Sequence, residues 1–293
     1  MSAMRTSLNY SPAPVSEPVQ PAADLHKIRL RDFFAQSADV AINVDNTKVY
    51  LPDVSWTRTF AKGLQKVDFT ATHIIEVGVG SGVNMAGLML HPARKPQFFI
   101  GSDLAGAAVD ASADLAVAHK MNAMLLESDL LSNIPAQELR RADYIIGCIP
   151  QVPLHHGDMR DERDLSDYYE ETGIAEDKYG LGLVARLLDQ AADVAPQATL
   201  VLNIAGRPGD SRLAPMFERH GYETQILYTN VVRQDPGTSL RSLVEIENDT
   251  SLNFHFFQDA KAQRDINAHA AEALRGLGKP VYHNLHVMSA KLV

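Results

Sequence analysis

Short apolar runs, each stopped by glycine or polar residues, recur through the middle of the chain at 72–77, 97–103, 123–128, 142–149 and 198–204. With helical or loop segments between them, they predict the strands of a parallel, doubly wound sheet. After Gly221, residues 222–231 and 240–247 read as two more strands joined through Asp235-Pro236-Gly237. Upstream, His26, Leu30, Phe33 and Phe34 have helical spacing across Asp24–Asp39, while Val40–Val44 and Lys48–Leu51 read as short strands around Asp45-Asn46. Pro52–Trp56 opens a helix, with Ser55 as the expected N-cap before Thr57–Lys66. Towards the end, a helix is expected near 261–275 and a last, partly apolar stretch runs from Val281 to Met288. Residues 1–22 are rich in Ser, Pro and Ala, a composition that cannot offset its ordering entropy by burial, and are expected to be a disordered tail.

Composition narrows the class. A chain of 293 residues that is 45% hydrophobic can bury a full core and suits one large α/β domain with additions. A formal net charge of −9 argues against a nucleic-acid or anionic-membrane surface, because neutralising phosphates requires clustered Lys and Arg. A small polar substrate fits better. One cysteine excludes an internal disulfide framework, and no Cys/His spacing for structural zinc is present. His155-His156 with Asp158 and Asp161 lacks the spacing of a metal site, so no metal is expected. No apolar run approaches the roughly 18 residues of a membrane span, and the N-terminus lacks an apolar signal core, so a soluble, cytoplasmic protein is expected. A homo-oligomer is compatible with the sequence.

The first strand carries the chain's most informative stretch, His73-Ile74-Ile75-Glu76-Val77-Gly78-Val79-Gly80-Ser81-Gly82, followed by the apolar Met85–Leu90. It reads strand, tight turn, helix, with glycines that let the backbone approach a ligand. The spacing is E-x-G-x-G-x-G rather than the dinucleotide G-x-G-x-x-G, and no basic residue stands in the turn to meet a pyrophosphate. About 21 residues beyond Gly82 the second strand ends in Asp103, where doubly wound folds place a ribose-binding acid, and the third run ends in Asp129. This set resembles motif I and its companions in the class I S-adenosylmethionine (SAM) methyltransferases. The resemblance implies SAM as methyl donor, held by Glu76, Gly78, Gly80, Gly82, Asp103 and Leu104, with Asp129 and Leu130 on the adenine side. It also implies a Rossmann-like α/β fold with a mostly parallel sheet, an antiparallel C-terminal strand pair and helices on both faces.

The fourth strand ends in Gly147-Cys148-Ile149-Pro150-Gln151-Val152-Pro153. Enzymes that methylate planar nitrogens often carry Asn/Asp-Pro-Pro-Tyr/Phe here; Cys148, Ile149 and Gln151 depart from that pattern and disfavour a nitrogen nucleophile. The Gly-Cys-Ile-Pro-Gln segment is similar to that of the methionine S-methyltransferases, in the plant enzyme's N-terminal region and the shorter bacterial enzymes of dimethylsulfoniopropionate synthesis. Glu176–Arg186, Asn203–Gly209, Phe217-Glu218-Arg219, Ser242–Glu247 and Phe254-His255-Phe256-Phe257 also resemble segments of that family, so the likeness spans roughly residues 45–293.

That family implies transfer to the thioether sulfur of L-methionine, giving S-methylmethionine. The sulfur has no proton to lose, so no general base is needed, and catalysis rests on alignment and on stabilising a moving positive charge. Pro150, Gln151, Tyr169 and Tyr179 are the expected catalytic groups, and an aromatic face attracts a sulfonium by about 0.5–2 kcal/mol. Tyr168, Asp177 and Arg207 are the expected methionine contacts: Arg207 follows the fifth strand and offers a fork to a carboxylate, while Asp177, or Glu171 after it, suits the ammonium. Each has a structural alternative: Arg207 fixing its own loop, Asp177 capping a helix that begins near Lys178, the tyrosines packing a cap. Trp56 is expected either to close over SAM or to sit in the core, and Cys148 to line the cofactor site without acting as a nucleophile, since no His is near in sequence to lower its pKa.

The expected organisation is therefore a tail over 1–22, a helical and short-strand extension over 23–70, and a methyltransferase domain over 71–293 with a cap over 151–180. Two other readings remain: a different thioether or an amino-acid-like amine as acceptor, and a catalytically silent SAM-binding partner protein.

Overall fold

A computed structural model describes residues 25–45, 49, 54–151, 153, 173–235 and 240–293. Five parallel strands form its centre: β3 (His73–Val77), β4 (Phe98–Asp103), β5 (Ala123–Glu127), β6 (Tyr144–Gly147) and β7 (Thr199–Ala205). The sheet is completed by β8 (Tyr222–Arg233) and the antiparallel β11 (Tyr282–Leu292), with the short β9 (Phe256–Phe257) and β10 (Asp265–Ile266) at its margin. Its order is β5-β4-β3-β6-β7-β11, with β8 on the outer side of β11. The order turns at β3 and β6, so the carboxyl ends of these two strands diverge into a crevice, where open α/β sheets take ligands.

The central strands are apolar on both faces because helices cover both. On one face, Ile75, Val77, Ile145 and Leu200 meet Leu187, Leu188 and Ala191 of α5 (Gly182–Val194) and Phe217 of α6 (Asp210–Arg219). On the other, Ile74, Ile146, Val201 and Val287 meet Phe60 and Leu64 of α1 (Val54–Leu64), Met85 of α2 (Val83–Met89) and Ala116 of α3 (Gly106–Ala118). A one-turn α4 (Ala136–Leu139) precedes β6.

Three elements differ from the sequence expectation. Across 24–39 the helical spacing gives way to β1 (Leu25–Arg29), antiparallel to β2 (Ala41–Asp45), and a 3-10 turn over Leu30–Asp32. Exposure alternates from His26 to Leu30, so the local period of two prevails once a partner strand is present. The segment expected as a strand over 240–247 is the helix α7 (Arg241–Asp249). Leu240, Leu243 and Ile246 recur every third residue and pack on Phe254, Phe256 and Ala268 and Ala271 of α8 (Ala268–Gly276). The antiparallel partner of β8 is thus β11, formed by the stretch that begins at Val281. Finally, α1 starts at Val54, so Ser55 lies inside its first turn instead of capping it, and its carbonyl accepts from Thr59 Oγ1 at 2.7 Å. Lys48–Leu51, apart from Val49, and the tail over 1–22 lie outside the described residues.

Candidate active site

The turn after β3 is held from two sides. Asp103 Oδ2 accepts from Gly80 N at 2.9 Å, and Ser112 Oγ of α3 donates to Gly80 O at 3.0 Å. Gly80 has φ +50°, and a Cβ there would meet nothing within 4 Å. The backbone is therefore pinned while its outer side faces open space. Asp103 Oδ1 also accepts from Ala105 N at 3.0 Å, and each oxygen keeps a lone pair for a ribose hydroxyl.

Glu76 is fully buried beneath this turn. Its Oε1 accepts from Asn84 Nδ2 at 2.9 Å, whereas Oε2 is buried without a partner. Burial, opposed by the Asn84 bond and reinforced by the Asp103 charge, pushes the carboxyl up to about 8, so it holds its proton at neutral pH. An orphaned buried oxygen below an open glycine turn fits a cationic ligand group, as the ammonium of SAM would be.

The adenine-side expectation is less simple. Leu104 is 51% exposed beside Asp103, leaving an apolar surface at the crevice. Leu130 is buried with φ +50°, its carbonyl accepting from Ser102 Oγ at 3.3 Å. Asp129 is ion-paired with Arg186 of α5, so its carboxylate is shared with that helix.

At the ends of β6 and β7 a second cluster forms. Gln151 is buried, and its amide bonds both ways to the β7 backbone: Nε2 donates to Asn203 O at 2.6 Å and Oε1 accepts from Ala205 N at 2.8 Å. Gln151, expected as a catalytic group, thus has both ends of its buried side-chain amide bonded to β7, which ties the end of β6 to that strand. Its carbonyl accepts from the buried Arg207 at 3.0 Å, which sets the guanidinium beside Pro150-Gln151. Gly206, just before it, packs so closely on Asn284 and His286 that a Cβ would meet His286 Nε2 at 2.8 Å. The loop that carries Arg207 is thereby seated on β11.

Two residues that sequence reasoning passed over join this cluster. Asn203 is 1% exposed; its Nδ2 donates to Trp56 O at 3.3 Å and to Cys148 Sγ at 3.2 Å, leaving Oδ1 buried without a partner. The carbonyl of Trp56 only accepts, so the amide orientation is assigned by its partner. His283 is 2% exposed, 6.2 Å from the Trp56 ring and 6.4 Å from that of Phe256. Burial and the nearby Arg207 charge lower its pKa to about 3. The signal for Asn203 was a polar residue in an apolar strand end, Asn203-Ile204-Ala205-Gly206; His283 had none in sequence, since only the antiparallel return of β11 brings it here.

Of the cap, Asp177 and Tyr179 are described, whereas Tyr168, Tyr169, Glu171 and the His155-His156 group lie outside the described residues. Asp177 is buried in a 3-10 turn, Ala175–Tyr179, and its Oδ2 accepts from Gly173 N at 2.8 Å. The next helix starts only at Gly182, so Asp177 does not cap it. The half-buried Tyr179 ring lies against Arg212 of α6, 6.0 Å from guanidinium carbon to ring centroid. Among the described residues no group of His, Cys, Asp and Glu is placed to hold a metal, and no helix is long and apolar enough to cross a membrane.

Parallel strands in this order, an antiparallel last strand between the fifth and sixth, and an acidic strand end under a three-glycine turn are the Rossmann-like fold and cofactor-site arrangement of the class I SAM-dependent methyltransferases. Within that class, the chain is similar in sequence to methionine S-methyltransferases. That of Hordeum vulgare is 33% identical over 178 residues, 57% of this chain and 16% of that protein. That of Arabidopsis thaliana is 26% identical over 276 residues, 83% of this chain and 25% of that protein. The chain thus spans between 16% and 25% of the length of these curated relatives. No protein-family model matches it. Among solved structures, it is similar to the E. cuniculi Mtq2-Trm112 complex, responsible for methylation of the eRF1 translation termination factor (TM-score 0.47, 15% identity, 84% of this chain and 99% of that one). It is also similar to the T. thermophilus 16S rRNA N2 G1207 methyltransferase RsmC with AdoMet and guanosine (TM-score 0.46, 16% identity, 71% of this chain and 48% of that one).

Proposed function

We propose that this protein moves the methyl group of SAM to the thioether sulfur of L-methionine, giving S-methylmethionine. The observation that carries the reading is the character of the cluster beside Cys148. Its imidazole, His283, is buried and pushed down to about 3, so it is no proton acceptor at neutral pH, while Arg207 offers a buried cation to an acceptor's carboxylate. An amine acceptor would need its proton removed; a thioether has none to remove. The names of the sequence relatives support the same acceptor.

Bound SAM supplies a methyl group on a positively charged sulfur, open to attack by a neutral one. The chain's own part is alignment. The pair of hydrogen bonds between the Gln151 amide and β7 keeps the ends of β6 and β7 together, and with them Cys148, Asn203 and Arg207. The unpartnered Oδ1 of Asn203 presents negative dipole density to positive charge passing between sulfurs. Trp56, Pro150, Tyr179, Asp177, Tyr168 and Tyr169 are proposed to enclose the acceptor, and Leu104, Asp129 and Leu130 the adenosine.

Mass spectrometry of a reaction with purified protein, SAM and L-methionine, with homocysteine, glycine and a thioether lacking the amino-acid moiety alongside, tests the proposal. A mass gain of one methyl on methionine, with an equal amount of S-adenosylhomocysteine, is expected, and its rate should be flat from pH 6.5 to 8.5 once SAM is saturating. Turnover of another acceptor instead would keep methyl transfer and discard methionine. SAM binding by calorimetry with no turnover of any acceptor would favour a silent binding protein.

A further inference from the structure

Helix α5 buries its apolar side, Val184, Leu187, Leu188 and Ala191, completely in the core on one face of the sheet. Two polar residues one turn apart on the same helix, Arg186 and Gln190, reach instead to the loop that follows β5. Arg186 is ion-paired with Asp129. Gln190 Oε1 accepts from Leu131 N at 3.1 Å, and its Nε2 donates to Ser132 Oγ at 3.5 Å. A helix fixed in the core thus grips the loop on both sides of Leu130.

Leu130 is where the loop needs that grip. Its φ of +50° is left-handed, a conformation that leucine takes only where its surroundings impose it. Its carbonyl accepts from Ser102 Oγ of β4 at 3.3 Å, and Ser128 N donates to Asp103 O at 2.8 Å, so the loop is also in register with the acid expected at the ribose. The side chains of Arg186 and Asp129 are 36% and 51% exposed, and an ion pair so open to water adds little to the stability of the fold. Its consequence is orientation. One oxygen of Asp129 is engaged by the guanidinium, while among the described residues Oδ2 has no partner and stays open to a ligand.

We propose that Arg186 and Gln190 are positioning residues for the base of SAM, acting through Asp129 and Leu130 to hold one carboxylate oxygen where it accepts from the amino group of adenine. The proposal rests on the placement of adenosine at Leu104, Asp129 and Leu130 and adds the helix that makes the placement selective. A fixed carboxylate oxygen favours a base that offers it an N–H and repels one with a carbonyl oxygen at that position. A carboxylate free to swing away favours neither, so α5 sets the discrimination between bases as well as the strength of binding.

Calorimetry with S-adenosylhomocysteine and with S-inosylhomocysteine, whose base carries a carbonyl oxygen in place of the amino group, gives a ratio of Kd values without turnover. Arg186→Met and Gln190→Met each keep an unbranched side chain and remove its polar end. Each should weaken the adenosyl compound about tenfold and the inosyl compound less than about threefold, so that the ratio falls towards one. R186M, altered at a partly exposed side chain, is expected to melt like wild type, and it decides the matter if Q190M does not melt cooperatively. An unchanged ratio in R186M, or equal losses for both ligands, overturns the proposal and leaves α5 a structural support only. Wild type that binds the two compounds equally well removes the placement of adenosine at Asp129 itself, a failure read before any variant is made.

Discussion

Asn84 Nδ2 donates to Glu76 Oε1 at 2.9 Å and leaves Oε2 of the same carboxyl buried and unpaired at the base of the glycine turn. The half-satisfied acid is what holds its pKa up to about 8, burial being the main cause. A cationic ligand group at Oε2 would favour the ionised form and expel the proton. SAM binding at pH 7 is therefore expected to release close to one proton, read from calorimetry in two buffers of different ionisation enthalpy. Glu76→Gln should release none and bind SAM about tenfold or more weakly. An equal proton release in the variant would place the titration elsewhere.

The same group makes a prediction for the unliganded fold. Its folded pKa is raised above the ordinary carboxyl value of 4.5, so the native state binds the proton more tightly than the unfolded chain. The resulting stability is fully present below about 4.5 and is lost as pH rises towards 8, with a slope of at most ~1.4 kcal/mol per pH unit. His283 has the opposite sign, its depressed pKa costing stability as pH falls from 6.5 towards 3. Between pH 6.5 and 8 the urea midpoint of wild type should fall with rising pH relative to that of E76Q, which lacks the titrating group; parallel profiles would refute the assignment.

Gln151 offers a structural test of the β6–β7 link. Replacing it by Leu leaves Asn203 O and Ala205 N without their side-chain partners, at about 1–3 kcal/mol per buried group. Q151L should lower the urea midpoint accordingly and reduce kcat more than it weakens SAM binding, since the displaced strand end carries Asn203 and Arg207. Full activity with lowered stability would show that alignment tolerates the break.

Asn203 should matter through its oxygen. Asn203→Leu keeps most of the volume but removes Oδ1 and the bonds to Trp56 O and Cys148 Sγ. A fall in kcat of about ten- to a hundredfold is expected with SAM affinity within about threefold, because the oxygen acts on developing charge. Equal losses in SAM affinity and turnover would instead assign Asn203 to the cofactor.

Phe34 fills the space that a Cβ on Gly87 would occupy, which docks the β1–β2 unit on the helix that follows the glycine turn. Gly87→Ala should cost about 1–3 kcal/mol, and the same change made in a Phe34→Ala background should cost clearly less. Additive losses in urea denaturation would show that the two residues do not share that contact.

Much of this was legible along the chain. The strands β3, β4, β6 and β7 were readable because a buried strand is apolar nearly throughout, and the three-glycine turn because Gly78, Gly80 and Gly82 all take the positive φ that glycine adopts most readily. The acids at the strand ends were readable for the same reason: polar residues interrupt apolar runs where chain leaves the core. Residues 240–247 were not, since Leu240, Leu243 and Ile246 fit two periods and packing on α8 chose the helical one. Nor were the bonds of Gln151 to β7, since only the strand order brings that strand to both ends of its amide. His283 lies 76 residues beyond Arg207, and only the return of β11 between β7 and β8 puts the two side by side. Local chemistry is written in neighbouring residues; which distant side chains share a buried site is decided by strand order and by the need to pair every polar group taken out of water.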